Sequence, residues 1–154
     1  MPGICVYLTI STDLPTFYHV FGLSTKGIYG LAAVFELAVR WDEGPIQIKD
    51  IAERHSIPQH YLEQLLVSLR RNGITASFRG TQGGYRLADH PDNITVRAVL
   101  EALEGPLEIV PEGKRDNEIQ FFFDEINHVL ADILKLSLSE LIDKKSSGSN
   151  MYFI

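Results

Sequence analysis

Residues 58–87 read PQHYLEQLLVSLRRNGITASFRGTQGGYRL, and this stretch decides the fold. Its first half places apolar side chains at Tyr61, Leu62, Leu65, Leu66 and Leu69, the three-and-four spacing of a helix with one buried face. Gln59, His60, Glu63, Gln64, Arg70 and Arg71 are left on the other side. Pro58 suits a first helical turn and Gly73 a C-terminal stop. ITASFR and YRL then read as two short strands joined by the turn GTQGG. A helix with a polar edge, followed by a glycine-tipped hairpin bearing Arg79 and Arg86, is the reading head of a winged helix-turn-helix. An ordinary helix and hairpin would give the same local pattern, so the flanking chain must discriminate.

Upstream, residues 23–41 read LSTKGIYGLAAVFELAVRW. Ser24 or Thr25 is placed to cap a helix by accepting a hydrogen bond from a free backbone N–H. Ile28, Leu31, Phe35 and Ala38 share one face, widened by Val34 and Val39. Gly27 and Gly30 each cost about 1 kcal/mol relative to alanine inside a helix, so a backbone or a phosphate is expected to come close there. Lys26, beside the helix start, is a candidate phosphate ligand. After the turn DEGP, the segment IQIKDIAERHSI gives a short helix with Ile48, Ile51 and Ala52 inward. Two helices joined by a few residues form the helix-turn-helix connection. Residues 26–87 thus supply three helices and a wing in the order such a domain needs.

Downstream, Thr95 is a plausible cap for a helix whose buried stripe is Val96, Val99, Leu100 and Leu103, and Gly105 with Pro106 ends it. A loop at 107–114 follows. A long helix is expected over about 116–136, with Ile119, Phe122, Ile126, Val129, Ile133 and Leu136 alternating by three and four. That is a coiled-coil-like seam held over roughly two and a half heptads. Phe123, Leu130 and Leu134 broaden the apolar surface, enough to cover the parent domain and to meet a second copy. Ser137 and Glu140 make a capping box for a last short helix. SSGSN is a flexible spacer before MYFI. At the other end, residues 1–22 show no clean period and are expected to be a poorly ordered extension, with Val20 a candidate alternative start. The fold class is therefore mainly α with a small β-wing: a winged helix-turn-helix domain over 23–107, a linker loop and dimerisation helices over 108–145, and a tail over 146–154.

Composition narrows the function. With 154 residues, 45% of them hydrophobic, the chain can bury one ordinary core. No apolar run reaches the roughly 18 residues of a membrane span, and the first residues lack a secretory pattern, so a cytoplasmic location is expected. The single cysteine, Cys5, cannot build a disulfide framework or a four-thiolate site within one chain, so no metal and no cofactor are expected. Net charge is −6, but the acid lies mainly in the second half: residues 23–90 carry eight basic against seven acidic residues, and residues 91–154 six against twelve. The first half remains free to approach phosphate. An enzyme is a poor reading, since no Ser-His-Asp order, nucleophile elbow or metal signature occurs, and GTQGGY sits between strands rather than before a helix.

The blocks STKGIYGL, IAERHSIPQHYLEQLLVSLRRNGI, FRGTQGGYRLA and ITVRAVLEALEGP resemble the Rrf-two family of bacterial winged-helix regulators over 23–107, and more loosely beyond. The resemblance implies a homodimer on double-stranded DNA, an imperfect palindrome read by two recognition helices in successive major grooves. His60, Tyr61, Glu63 and Gln64, with Gln59, stand where the family's recognition helix touches DNA. Arg79 stands at the wing arginine that reaches the minor groove, and Lys26, Tyr29, Thr81, Gln82 and Gly83 complete the expected contact set. Gln64 suits adenine, Glu63 the cytosine amino group, and Arg79 a narrow, negative minor groove. Many members hold an iron-sulfur cluster on three cysteines in the loop corresponding to 107–114; this loop has none. The sequence resembles instead the cluster-free CymR-like branch, which implies a repressor of cysteine and sulfur metabolism. The apolar tail, with Phe153 and Ile154, resembles the isoleucine-ended peptides that enter cysteine synthase, implying that enzyme as partner and co-sensor. Two alternatives remain: a protein-interaction adaptor of the same fold that no longer binds DNA, and a redox or iron-sulfur regulator with a non-standard site.

Overall fold

The computed structural model describes residues 22–107 and 118–148. Cys5, the N-terminal extension, the loop at 108–117, and Phe153 and Ile154 lie outside the described residues. The first three helices are α1 (Thr25–Val39), α2 (Ile48–His55) and α3 (Gln59–Arg71). They are followed by the hairpin β1 (Thr75–Phe78) and β2 (Gly84–Leu87), then by α4 (Val96–Glu104), α5 (Gln120–Leu134) and α6 (Leu138–Ser146). Short single turns occupy Trp41–Glu43 and Pro91–Asn93. Among the described residues no helix is long and apolar enough to cross a membrane.

One core joins α1 to α4, the hairpin and α6. Leu37, Ile51, Leu62, Leu66, Leu69, Leu87, Val99 and Leu138 are all almost wholly buried in it. The end of α3 shows why the third helix stops where it does. Gly73 takes φ +74°, its N–H donates to the Arg70 carbonyl, and the Ile74 N–H reaches back to the Leu69 carbonyl at 2.9 Å. That paired closure, with Ile74 packed near Leu69, is a Schellman motif, and it turns the chain into β1. Pro58 caps α3 from just outside the first turn, its carbonyl accepting from Tyr61 and Leu62.

Strands β1 and β2 pair antiparallel, Thr75 opposite Leu87 and Phe78 opposite Gly84. Ile46 adds a one-residue third strand, exchanging two 2.8 Å hydrogen bonds with Tyr85. The wing is thereby tied to the chain between α1 and α2. A Cβ at Gly84 would run into the Ile46 carbonyl, so the residue there must be glycine.

Three expectations are corrected. The buried face of α1 is Gly27, Gly30, Ala33, Val34, Leu37 and Ala38, whereas Ile28 and Val39 are exposed. Small residues face inward because α4 crosses closely: a Cβ on Gly30 would strike the Leu103 side chain, and one on Gly27 the Glu104 carboxylate. The close approach is therefore made by side chains, not by a backbone or a phosphate. Second, α5 begins at Gln120 and ends at Leu134, leaving Ile119 and Leu136 in the flanking turns. Third, α6 belongs with the core. Leu138 is fully buried, the Leu136 carbonyl accepts from Val96 N–H, and Leu138 N–H donates to the Ile94 carbonyl, both at 2.9 Å. The Ser137–Glu140 capping box starts this helix as the sequence indicates.

Candidate nucleic-acid interface

Leucines 62, 65, 66 and 69 bury one side of α3, and that burial fixes which side chains look outward. Gln59, His60, Glu63 and Gln64 are exposed and share the opposite face over the first two turns. Among the described residues none of the four has a side-chain hydrogen bond or ion pair, so their donors and acceptors are available to a ligand. The structure brings these sequence-predicted residues together. Tyr61 differs: it is half-buried and meets Tyr29 of α1 edge to face, ring centres 6.2 Å apart at 75°. Both tyrosines pack against the core and hold α3 to α1.

At the wing, Arg79, Thr81 and Gln82 are exposed, while Gly83 is half-buried and closes the turn by donating to the Gly80 carbonyl at 3.0 Å. A Cβ at Gly83 would sit 2.9 Å from that carbonyl oxygen, so its part in the site is geometric. Arg70 donates to Ser77 Oγ at 2.9 Å, linking the end of α3 to β1. Arg86, by contrast, stacks on Trp41, 4.6 Å from the ring centre, and is engaged within the molecule. Between Glu63 and Asp89 the chain contains Arg70, Arg71, Arg79 and Arg86 and no acidic residue. In a chain of net charge −6, this is a run with four positive charges and no negative one.

Lys26 sits elsewhere. Its Nζ donates to the Leu103 carbonyl at 3.2 Å, at the C-terminal end of α4. The free N–H groups at the start of α1 are also taken: Glu104 Oε1 accepts from Ser24 N (3.0 Å), Ser24 Oγ (2.6 Å) and Gly27 N (3.0 Å). Partial burial raises the pKa of Glu104, yet these hydrogen bonds and the nearby Lys26 charge outweigh it and hold the carboxyl below the ordinary 4.5. Sequence reasoning missed this clasp, because nothing local marks a contact between residues 80 apart. A second unforeseen cluster lies between α1 and α2: the buried Glu36 carboxylate receives Arg54 at 2.7 Å and lies 3.4 Å from His55.

The family model described as "Rrf2: Iron-dependent Transcriptional regulator" matches residues 23–144. The chain belongs to the Rrf2 family. The Bacillus subtilis HTH-type regulator CymR is 47% identical over 85 residues, 55% of this chain and 62% of that one, so the match spans less than two thirds of this relative. IscR of Erwinia tasmaniensis is 34% identical over 131 residues, covering 80% of this chain and 79% of its own. The solved structure of CymR, described as the global cysteine regulator of B. subtilis, has a TM-score of 0.72 at 38% identity, covering 79% of this chain and 96% of that one. IscR of T. potens gives 0.71 at 33%, covering 86% and 94%. These Rrf2 relatives are transcriptional regulators, not enzymes. The family description names iron, but a three-thiolate iron site cannot be assembled within this sequence, which has one cysteine.

Proposed function

We propose that this Rrf2 protein is a dimeric, sequence-specific DNA-binding regulator acting in the cytoplasm as a repressor. The observation that carries the reading is the exposed side of α3, with unpartnered Gln59, His60, Glu63 and Gln64, followed by an acid-free span through the wing that holds four arginines. Gln64 and Glu63 offer base-edge hydrogen bonding in a major groove, and Arg79 a minor-groove contact. Tyr29 supports this surface through its edge-to-face contact with Tyr61, and Lys26, bonded to the Leu103 carbonyl, is proposed as a separate contact to the DNA backbone.

The dimer is supported by α5, which buries no residue within the chain and exposes Phe122 and Val129, with Ile126 and Ile133 half-covered, and by its flanks, where Ile119 is exposed and Leu136 half-covered. Cysteine and sulfur genes are the proposed targets, supported by the likeness to a cysteine regulator. The cysteine synthase contact rests on Phe153 and Ile154 alone; copurification from the native host with and without these residues tests it, equal recovery ending the idea.

The decisive measurement is binding to duplexes enriched by the protein from a randomised pool, titrated with salt. Wild type is expected to bind with a steep salt slope, and Arg79→Ala to lose affinity and about one unit of that slope. Absence of enrichment at low salt would leave the adaptor reading.

A further inference from the structure

The wing has two faces, and they are built differently. Strand alternation with the observed register sends Thr75, Ser77, Tyr85 and Leu87 to the inner face, where all but the exposed Ser77 at its edge are buried. The outer face carries Ala76, Arg86 and Phe78. Phe78 is 46% exposed, the most exposed aromatic of the domain formed by α1 to α4, and its cross-strand partner is Gly84, which offers no side chain to cover the ring. A glycine opposite an aromatic forfeits the pair contact that normally stabilises such a strand position. Folding alone therefore gains little from a phenylalanine here.

Its surroundings select the ligand. Phe78 is the last residue of β1, next to exposed Arg79 and two strand positions from Ala76, opposite which stands Arg86. No acidic residue occurs between 64 and 88. An apolar ring flanked by cations and free of carboxylates matches the minor groove, whose deoxyribose walls are apolar and whose rims are phosphate. Apolar side chains wedge against or between base steps in that groove. Arg86, stacked on Trp41, is held on the same outer face as the Phe78 ring.

We infer that Phe78 is a further DNA-contacting residue, packing its ring against the minor-groove wall beside Arg79 and favouring sequences that deform easily at that step. The inference rests on the DNA-binding reading above and adds to it a contact that carries no charge. Its test uses the full chain and a duplex enriched by the wild type from a randomised pool. Phe78→Ala is expected to keep the wild-type melting temperature and the wild-type salt slope while binding about tenfold more weakly, the usual loss when an aromatic platform on nucleic acid is removed. Phe78→Leu, which keeps an apolar wedge, is expected to recover most of the affinity. Repeating the selection with Phe78→Ala is expected to relax preference for pyrimidine–purine steps where the wing lies. Unchanged affinity for Phe78→Ala, with Arg79→Ala still weakened, would overturn the inference and leave the DNA-binding reading standing. A changed oligomeric state at unchanged affinity would overturn it in favour of a protein contact. Failure of the wild type to enrich any duplex would remove both.

Discussion

Ser56 is the non-glycine residue with positive φ among the described residues, at φ 54° and ψ 40°, where α2 turns into the loop before α3. The left-handed conformation strains any residue with a Cβ, by about 1 kcal/mol or more, while glycine gives up extra freedom on folding. The first effect is the larger, so Ser56→Gly is expected to raise stability by about 0.5 kcal/mol, read as a higher urea midpoint at unchanged slope. A lower midpoint would mean the serine hydroxyl contributes more than the backbone strain removes. Glu104 is the opposite case, a residue whose side chain is indispensable to its position. It accepts three hydrogen bonds at the start of α1, and its pKa is lowered on folding despite partial burial. A depressed carboxyl contributes stability that is present above its unfolded value and lost as pH falls through the folded one. Glu104→Gln is therefore expected to cost about 1–2 kcal/mol near pH 7. That difference should hold above about pH 5 and shrink as pH drops below the ordinary 4.5. A difference independent of pH down to 3 would show that the clasp does not act through charge.

At the scale of elements, the wing depends on a contact that has no sequence signal of its own. Gly84 lies where a Cβ would meet the Ile46 carbonyl, and backbone cannot swing aside as a side chain tip can. Gly84→Ala is expected to break the Ile46–Tyr85 bridge, to destabilise the protein by about 2 kcal/mol, and to weaken DNA binding more than that loss alone explains. Hydrogen exchange at the Ile46 and Tyr85 amides reports the bridge directly; protection equal to wild type would refute the account. What was legible beforehand follows the same division. Helix α3 and the hairpin could be read because a leucine stripe of period three to four, a Gly73 stop and a glycine turn are local patterns, and local patterns survive folding here. The inward face of α1 was misread because apolarity alone picks Ile28 over Gly30, whereas close crossing by α4 rewards the smaller residue. Glu104, Ile46 and the Arg86–Trp41 stack were invisible for one reason: each acts across a long sequence separation, and no pattern in a single segment encodes it.

At the scale of the whole molecule, α5 sets the question of assembly. The helix buries none of its residues in the chain, although the pattern Ile119, Phe122, Ile126, Val129, Ile133 and Leu136 is that of a packed helix. Phe121, outside that seam, is 71% exposed, so the uncovered surface is broader than one coiled-coil stripe. An exposed apolar surface of this kind is ordinarily covered by another molecule. The Leu136–Val96 and Leu138–Ile94 backbone bonds tie the short connection between α5 and α6 to the start of α4, so a second chain seated on α5 would be linked through it to the domain that carries α3. Two linked reading surfaces bind a palindrome at high effective concentration, whereas one binds a half-site alone. Val129 is half exposed, so Val129→Glu leaves the core untouched and places a charge in the proposed interface. Sedimentation velocity should show the variant sedimenting as a monomer with its helical circular dichroism retained. Its affinity for the enriched duplex should fall by roughly 100-fold or more, while binding to a duplex with a single half-site stays close to wild type. If Val129→Glu remained dimeric, α5 would not be the subunit contact. If it became monomeric yet kept full affinity for the palindrome, pairing of the reading heads would not be the source of tight binding, and each protomer would have to read its site independently.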